Sequence, residues 1–237
     1  LAQESKPVEG GTLNIGFISD VRPLDPIQST QWTERQILFL IFDTLVEIEP
    51  DFSLKPRLAK GWEFSDGGKK LVLKLQEGVK FHDGQEMTSA DVKATFERYA
   101  EVSPGKATLA DVKEYRTPDD YTFVIELNNL NAVFIDQLKT PVYPFSIMPA
   151  SQRDKPAREI DVVGTGPFKP VENEVGVRQV LEKNTDHEWW GEGAYLDRIE
   201  FIDFGTDMAA WVAAADADEI DMTYQSTGEF IEVLDAM

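Results

Sequence analysis

The sequence predicts a mixed α/β (α+β) fold, and three patterns predict it. Leu71, Leu73 and Leu75 alternate after the turn cluster Phe64-Ser65-Asp66-Gly67-Gly68-Lys69, and Tyr121, Phe123, Ile125 and Leu127 alternate after Thr117-Pro118-Asp119-Asp120. Period two next to turn residues marks half-buried strands in hairpins. Ile37, Leu38, Leu40, Ile41 and Leu45 instead recur at helical spacing, which predicts a buried helix over 33–45. Strands and helices interleave without a strict βαβ repeat, which points to α+β or mixed α/β.

The remaining elements follow in chain order. Residues 12–18 (TLNIGFI) form a β-rich strand opened by Gly10-Gly11. Pro23 and Pro26 force the next segment, from Asp20, into an extended loop. Thr88 and Asp91 stand three positions apart, as in a capping box, and open a helix carrying Val92, Thr95, Phe96 and Tyr99. A short helix is expected over 132–138, and a proline-rich linker over 141–156. Beyond it come a strand from Phe168, strands over 179–182 and 199–203, a helix over 207–215, a short strand over 220–222 and a last helix from about Thr227.

The 237 residues carry 23 Lys+Arg against 43 Asp+Glu, a net charge of −20. Fourteen Phe, six Tyr and five Trp exclude a disordered acidic chain, which lacks the large side chains that offset ordering entropy. The carboxylate excess repels phosphate, so no nucleic-acid partner is expected. It reads first as a solvated surface; salt adaptation or a cleft for cations gives the same composition. No cysteine is present, which rules out disulfides, thiolate metal sites and thiol nucleophiles. No apolar run approaches the ~20 residues that span a bilayer, so direct membrane insertion is not expected. Leu1-Ala2-Gln3-Glu4-Ser5 reads as the remainder of a cleaved secretory signal, hence an exported protein.

No motif carries catalysis or a cofactor. His82, in Gly78-Val79-Lys80-Phe81-His82-Asp83-Gly84, has one neighbouring carboxylate where a metal site needs three or four ligands, so the segment reads as a turn with Val79 and Phe81 facing a core. His187, beside Asp186 and Glu188, is equally thin as a metal ligand. Val163-Gly164-Thr165-Gly166-Pro167-Phe168 lacks the further glycines and Lys-Ser/Thr of a phosphate loop and reads as a glycine-rich crossing. No Gly-x-Ser-x-Gly elbow is present, and a carboxylate dyad is not readable among so many acids.

Four segments together resemble one family: Leu71 to Met87 with the following Thr88 to Val92, Val163 to Phe168, Leu181-Glu182-Lys183-Asn184, and Glu219-Ile220-Asp221-Met222. Their order and spacing are similar to the family 5 extracellular solute-binding proteins, the oligopeptide-, dipeptide- and nickel-binding components of ABC importers. Leu24-Asp25-Pro26, Phe42-Asp43-Thr44-Leu45-Val46 and Pro56-Arg57-Leu58-Ala59-Lys60-Gly61-Trp62 fit the same pattern. The chain departs from it at His187-Glu188-Trp189-Trp190, in place of a Tyr-Trp pair, and at Asp218, in place of the glycine before Glu-Ile-Asp.

The resemblance implies a periplasmic binding protein-like II fold in three parts: 1–47 as the first domain's part a, 48–158 as an inserted second domain, and 159–237 as the first domain's part b. The third domain would be missing, so the chain resembles an N-terminal half. It implies a periplasmic, non-enzymatic protein that captures a peptide-like or other small solute in an interlobe cleft and delivers it to an ABC permease. No cofactor is expected, the thin contexts of His82 and His187 do not support a nickel-binding role, and the full-length form is expected to be a monomer. Position by position, the ligand-binding candidates are Tyr224, Gln225 and Ser226 after the Glu-Ile-Asp-Met motif, and Gln28, Ser29, Thr30 and Gln31 after Leu-Asp-Pro. Trp32 would be a stacking wall, although its place at a helix start favours core packing. Asp20 and Arg22 follow the first strand, where ligand-contacting loops sit. The competing readings are a protein-interaction or chaperone-like module on the same fold, and a carboxylate-based hydrolase.

Overall fold

A computed structural model describes residues 6–18, 24–139, 143–224 and 228. The N-terminal Leu1 to Ser5, and all but Gly228 of the helix expected from Thr227, lie outside them. The chain packs as two compact units, one of Pro23–Gly166 with Thr185–Trp190, the other of Leu1–Arg22, Pro167–Asn184 and Gly191–Met237.

In the larger unit the expected hairpins build one antiparallel sheet. Its strands are β4 (Ala59–Ser65), β5 (Lys70–Leu75), β6 (Val112–Asp119) and β7 (Thr122–Leu127), in the order β4-β5-β7-β6. Asp66, Gly67 and Gly68 all take positive φ at the β4–β5 turn, as a tight connection requires. Leu71, Leu73, Leu75, Phe123 and Ile125 are fully buried, so period two does select the core face. Helix α2 (Ser89–Val102) opens on the expected capping box: the Thr88 N–H donates to Asp91 Oδ2 at 2.8 Å. It lays Val92, Thr95, Phe96 and Tyr99 into the core. The short helix expected over 132–138 is a 3-10 helix, Phe134–Lys139.

Residues 143–149 are irregular, as expected, but they are not a linker. Residues 144–149 are buried throughout. Phe145 stacks on Tyr99 at 3.9 Å and on Phe96 at 4.8 Å, Met148 N–H donates to Thr95 Oγ1, and Ala150 N–H donates to Asp91 Oδ1. Proline removed the helix and strand options without removing the apolar side chains, and burying one such ring contributes about 1.5–3 kcal/mol.

Helix α1 spans Trp32–Ile41 and stops four residues short of the expected end. Its last carbonyl explains the difference. Ile41 C=O accepts from Gly166 N–H at 2.9 Å, a partner from a distant part of the chain. A Cβ on Gly164 would lie 2.0 Å from that oxygen, and one on Gly166 2.5 Å from Leu40 O. The glycine crossing therefore lets backbone meet backbone where α1 ends. A two-stranded hairpin, β2 (Val46–Ile48) with β3 (Leu54–Pro56), follows and is too short to show periodicity.

The smaller unit is a mixed sheet of β1 (Thr12–Phe17), β8 (Phe168–Glu174), β9 (Arg178–Lys183), β10 (Arg198–Asp203) and β11 (Met222–Thr223), ordered β11-β1-β10-β9-β8. β1 runs parallel to both β10 and β11, while β9 pairs antiparallel with β10 and β8. Pro170 sits on edge strand β8 at a register shift, the placement a residue without an N–H tolerates. Helix α3 (Met208–Asp216) is capped by Asp207 and buries Trp211. Asp218, standing where a glycine is customary, has φ +55°. Its N–H reaches Ala215 O and the Glu219 N–H reaches Ala214 O, a Schellman stop built without glycine.

These packing units are a different partition from the proposed domains 1–47, 48–158 and 159–237. α1 and the 164–166 crossing pack with the larger unit, through the Gly166–Ile41 bond.

Candidate functional site

Five of the candidate residues, Gln28 to Trp32, form one loop and helix start in the larger unit, and a buried carboxylate shapes it. Asp25 Oδ1 accepts the N–H groups of Ile27 (2.9 Å) and Gln28 (3.3 Å), an Asx turn. Its Oδ2 accepts from Gln28 Nε2 at 3.1 Å and from Arg98 Nη2 at 2.6 Å. Arg98 also donates through Nη1 to the carbonyls of Arg153 (2.9 Å) and Lys155 (2.7 Å), so both charges are compensated where water is excluded. Ser29 Oγ donates to Glu34 Oε2 at 2.5 Å, and Arg35 Nη2 donates to Thr30 C=O at 3.0 Å.

Gln28 and Ser29 thus serve the loop's own shape, and Thr30 is exposed. Gln31 precedes α1 without a side-chain capping bond. Trp32 is 50% exposed, against the expectation of core packing. The buried stripe of α1 includes Thr33, Glu34, Ile37, Leu38 and Ile41, and Trp32 falls off it.

Tyr224 lies in the smaller unit, one residue past β11. Because β1, β10 and β11 are parallel, Phe17, Asp203 and Thr223 end at the same edge of the sheet. Tyr224 N–H donates to Gly16 O at 3.0 Å, and its ring meets Phe17 edge-on at 5.0 Å. Partial burial raises its phenol, which stays a protonated donor at neutral pH. Asp20, Arg22, Gln225 and Ser226 fall outside the described residues.

A second cluster in the larger unit has no counterpart among the expected sites. Asp43 is 4% exposed. Its Oδ1 accepts from Arg57 Nη2 (2.8 Å) and Nε (3.2 Å), and its Oδ2 from Thr165 Oγ1 (2.9 Å) and Trp190 Nε1 (3.1 Å). Thr165 C=O accepts from the indole N–H of both Trp189 and Trp190. The Arg57 guanidinium lies over both rings, 5.1 Å from the centre of Trp190 and 5.7 Å from that of Trp189. His82 pins the same crossing. Gly164 N–H donates to its Nδ1, so Nε2 carries the proton and donates to Gly166 C=O at 2.9 Å. Each member of the cluster sits in a motif that the sequence already singles out, and only their convergence is unreadable there.

Among the described residues no group of three or more His, Asp or Glu is placed to hold a metal ion. No described helix is long and apolar enough to cross a membrane.

Residues 53–237 match the family described as bacterial extracellular solute-binding proteins, family 5 Middle. The chain belongs to that family. It is 36% identical to the uncharacterized protein YhjP of Bacillus subtilis over 77% of the chain and 30% of the relative. It is 26% identical to the probable peptide ABC transporter periplasmic-binding protein y4tO of Sinorhizobium fredii, over 92% of the chain and 44% of the relative. Among solved structures, the periplasmic binding protein DppA of Helicobacter pylori in complex with the peptide STSA superposes with a TM-score of 0.84 at 26% identity, covering 97% of this chain and 49% of that one. The chain spans less than half the length of each of these proteins. Within this family 5 chain, the Asp43 cluster ties distant parts of the larger unit together, and Leu24-Asp25-Pro26 shapes the loop that presents Trp32.

Proposed function

We propose that this family 5 chain is part of the periplasmic substrate-binding protein of an ABC importer, capturing a peptide-like or other small solute for delivery to a permease. The observation that carries the reading is the shared fold over nearly the whole chain with DppA in its peptide complex. The loop chemistry supports it. Within that loop Trp32 offers an exposed flat face and Thr30 an exposed hydroxyl, groups suited to main-chain features common to many peptides; Tyr224, in the smaller unit, is proposed as a further contact. The proposed contacts further include Asp20, Arg22, Gln28, Ser29, Gln31, Gln225 and Ser226, and the proposed domains are 1–47, 48–158 and 159–237.

Native mass spectrometry of the protein purified without denaturant tests this. A mass excess that is lost on denaturation and reads as peptide by fragmentation is expected. A mass that stays bare after incubation with a mixture of short peptides overturns the reading. Trp32→Ala is expected to weaken capture about tenfold, or ~1.4 kcal/mol.

A further inference from the structure

The larger unit holds a surface cavity of about 290 Å³ beside the Asp43 cluster. Its walls are apolar, with Phe39, Phe42, Val46, Ile48 and Leu138 among them, and Arg57 and Glu47 supply charge. Arg57 commits Nε and Nη2 to Asp43. Among the described residues its Nη1 makes no hydrogen bond; the nearest acid is Glu47 at 3.9 Å, beyond bonding distance. Thus a guanidinium already fixed by a buried carboxylate and two indole rings keeps donors to spare at the edge of an apolar hollow.

We propose that this cavity is a second binding site, for a compact apolar group carrying a neutral hydrogen-bond acceptor, such as a leucine-like side chain next to an amide carbonyl. The apolar walls take the hydrocarbon, and the carbonyl accepts from Arg57 Nη1. Neutrality follows from local charge: Asp43 already balances Arg57, so Glu47 leaves the rim net negative and disfavours a carboxylate. Preorganisation favours the site too, because the stacked and bidentate guanidinium loses little freedom when the acceptor arrives. None of the residues that carry this argument belongs to the Gln28–Trp32 loop or to the strand end at Tyr224.

The probe is N-acetyl-leucine amide, followed by saturation-transfer NMR against the whole chain. Saturable binding is expected at millimolar probe, with N-acetyl-leucine, the free acid, about tenfold weaker. Val46→Phe fills the hollow and is expected to abolish the signal. Because Val46 is buried in β2, Ile48→Trp at a half-exposed position is the companion variant, expected to cost at least tenfold with an unchanged far-UV circular dichroism spectrum. Failure of the probe to bind, or binding indifferent to both variants, overturns the proposal. So does equal affinity for the amide and the acid, and so does a signal that disappears as the protein is concentrated, which assigns the hollow to a second copy.

Discussion

In the larger unit, Asp25 and Asp43 lie buried, each met by an arginine distant in sequence; Asp25 adds donors from its own loop, and Asp43 adds Thr165 and Trp190 from far along the chain. In the smaller unit the ion pairs among described residues, such as Arg198–Glu182 and Arg178–Glu172, keep a partner open to solvent. Its interior is built instead from rings and aliphatic chains, with Phe17 against Phe201 and Tyr224, and Trp211 beneath Gly16. The difference separates two ways of specifying a fold. A buried carboxylate names its partners atom by atom, whereas an apolar core accepts other side chains of like volume. The larger unit should therefore be the less forgiving of single changes.

The sharpest way to break that contrast is Gly164→Ala. Its Cβ would be driven into the Ile41 carbonyl, so a loss above about 4 kcal/mol, or no folded protein, is expected by urea denaturation. A stable variant would mean that the end of α1 is adjustable after all. Next comes Arg98→Met, which strands the Asp25 carboxylate in the interior and is expected to cost about 3–5 kcal/mol on the same assay. In the smaller unit the sign reverses: Asp218→Gly relieves the left-handed backbone and is expected to stabilise by about 1 kcal/mol in thermal melts.

The smallest effect compares two tyrosines, one in each unit. Tyr121 is pushed up to about 12, first by its 2.6 Å hydrogen bond to Glu86 and then by partial desolvation, whereas Tyr224 is raised by burial alone. A raised phenol stabilises the fold below its ordinary value near 10 and loses that contribution as pH climbs through 12. Ultraviolet titration should show Glu86→Gln lowering Tyr121 and leaving Tyr224 in place. Movement of both would make the shifts a property of overall charge.

What the sequence disclosed follows the same division. Alternation at Leu71, Leu73, Leu75, Phe123 and Ile125, and the capping box at Thr88, are local signals, and the structure places them as read. The end of α1, the buried path of 143–149 and the Asp43 cluster depend on distant partners, such as Gly166 on Ile41 and Met148 on Thr95, and no window of sequence contains them. β2 and β3 escape a reading by period because three residues cannot establish one. The candidate loop is legible through Leu24-Asp25-Pro26. The exposure of Trp32 is not, because the buried stripe of α1 decides it and a place at the helix start does not.

The reach of one contact has a consequence in time. Trp190 meets Asp43 across 147 residues. At about 5–20 residues per second, a ribosome needs roughly 7–30 s to make that stretch. For most of that interval the nascent chain carries Asp43 and Arg57, while the indole that completes the carboxylate's set of donors has not yet been synthesised. The larger unit is a late closer: the Gly166–Ile41 and Thr165–Asp43 bonds need nothing beyond residue 166, and residues 185–190 then lay the two indoles over the crossing as its clasp.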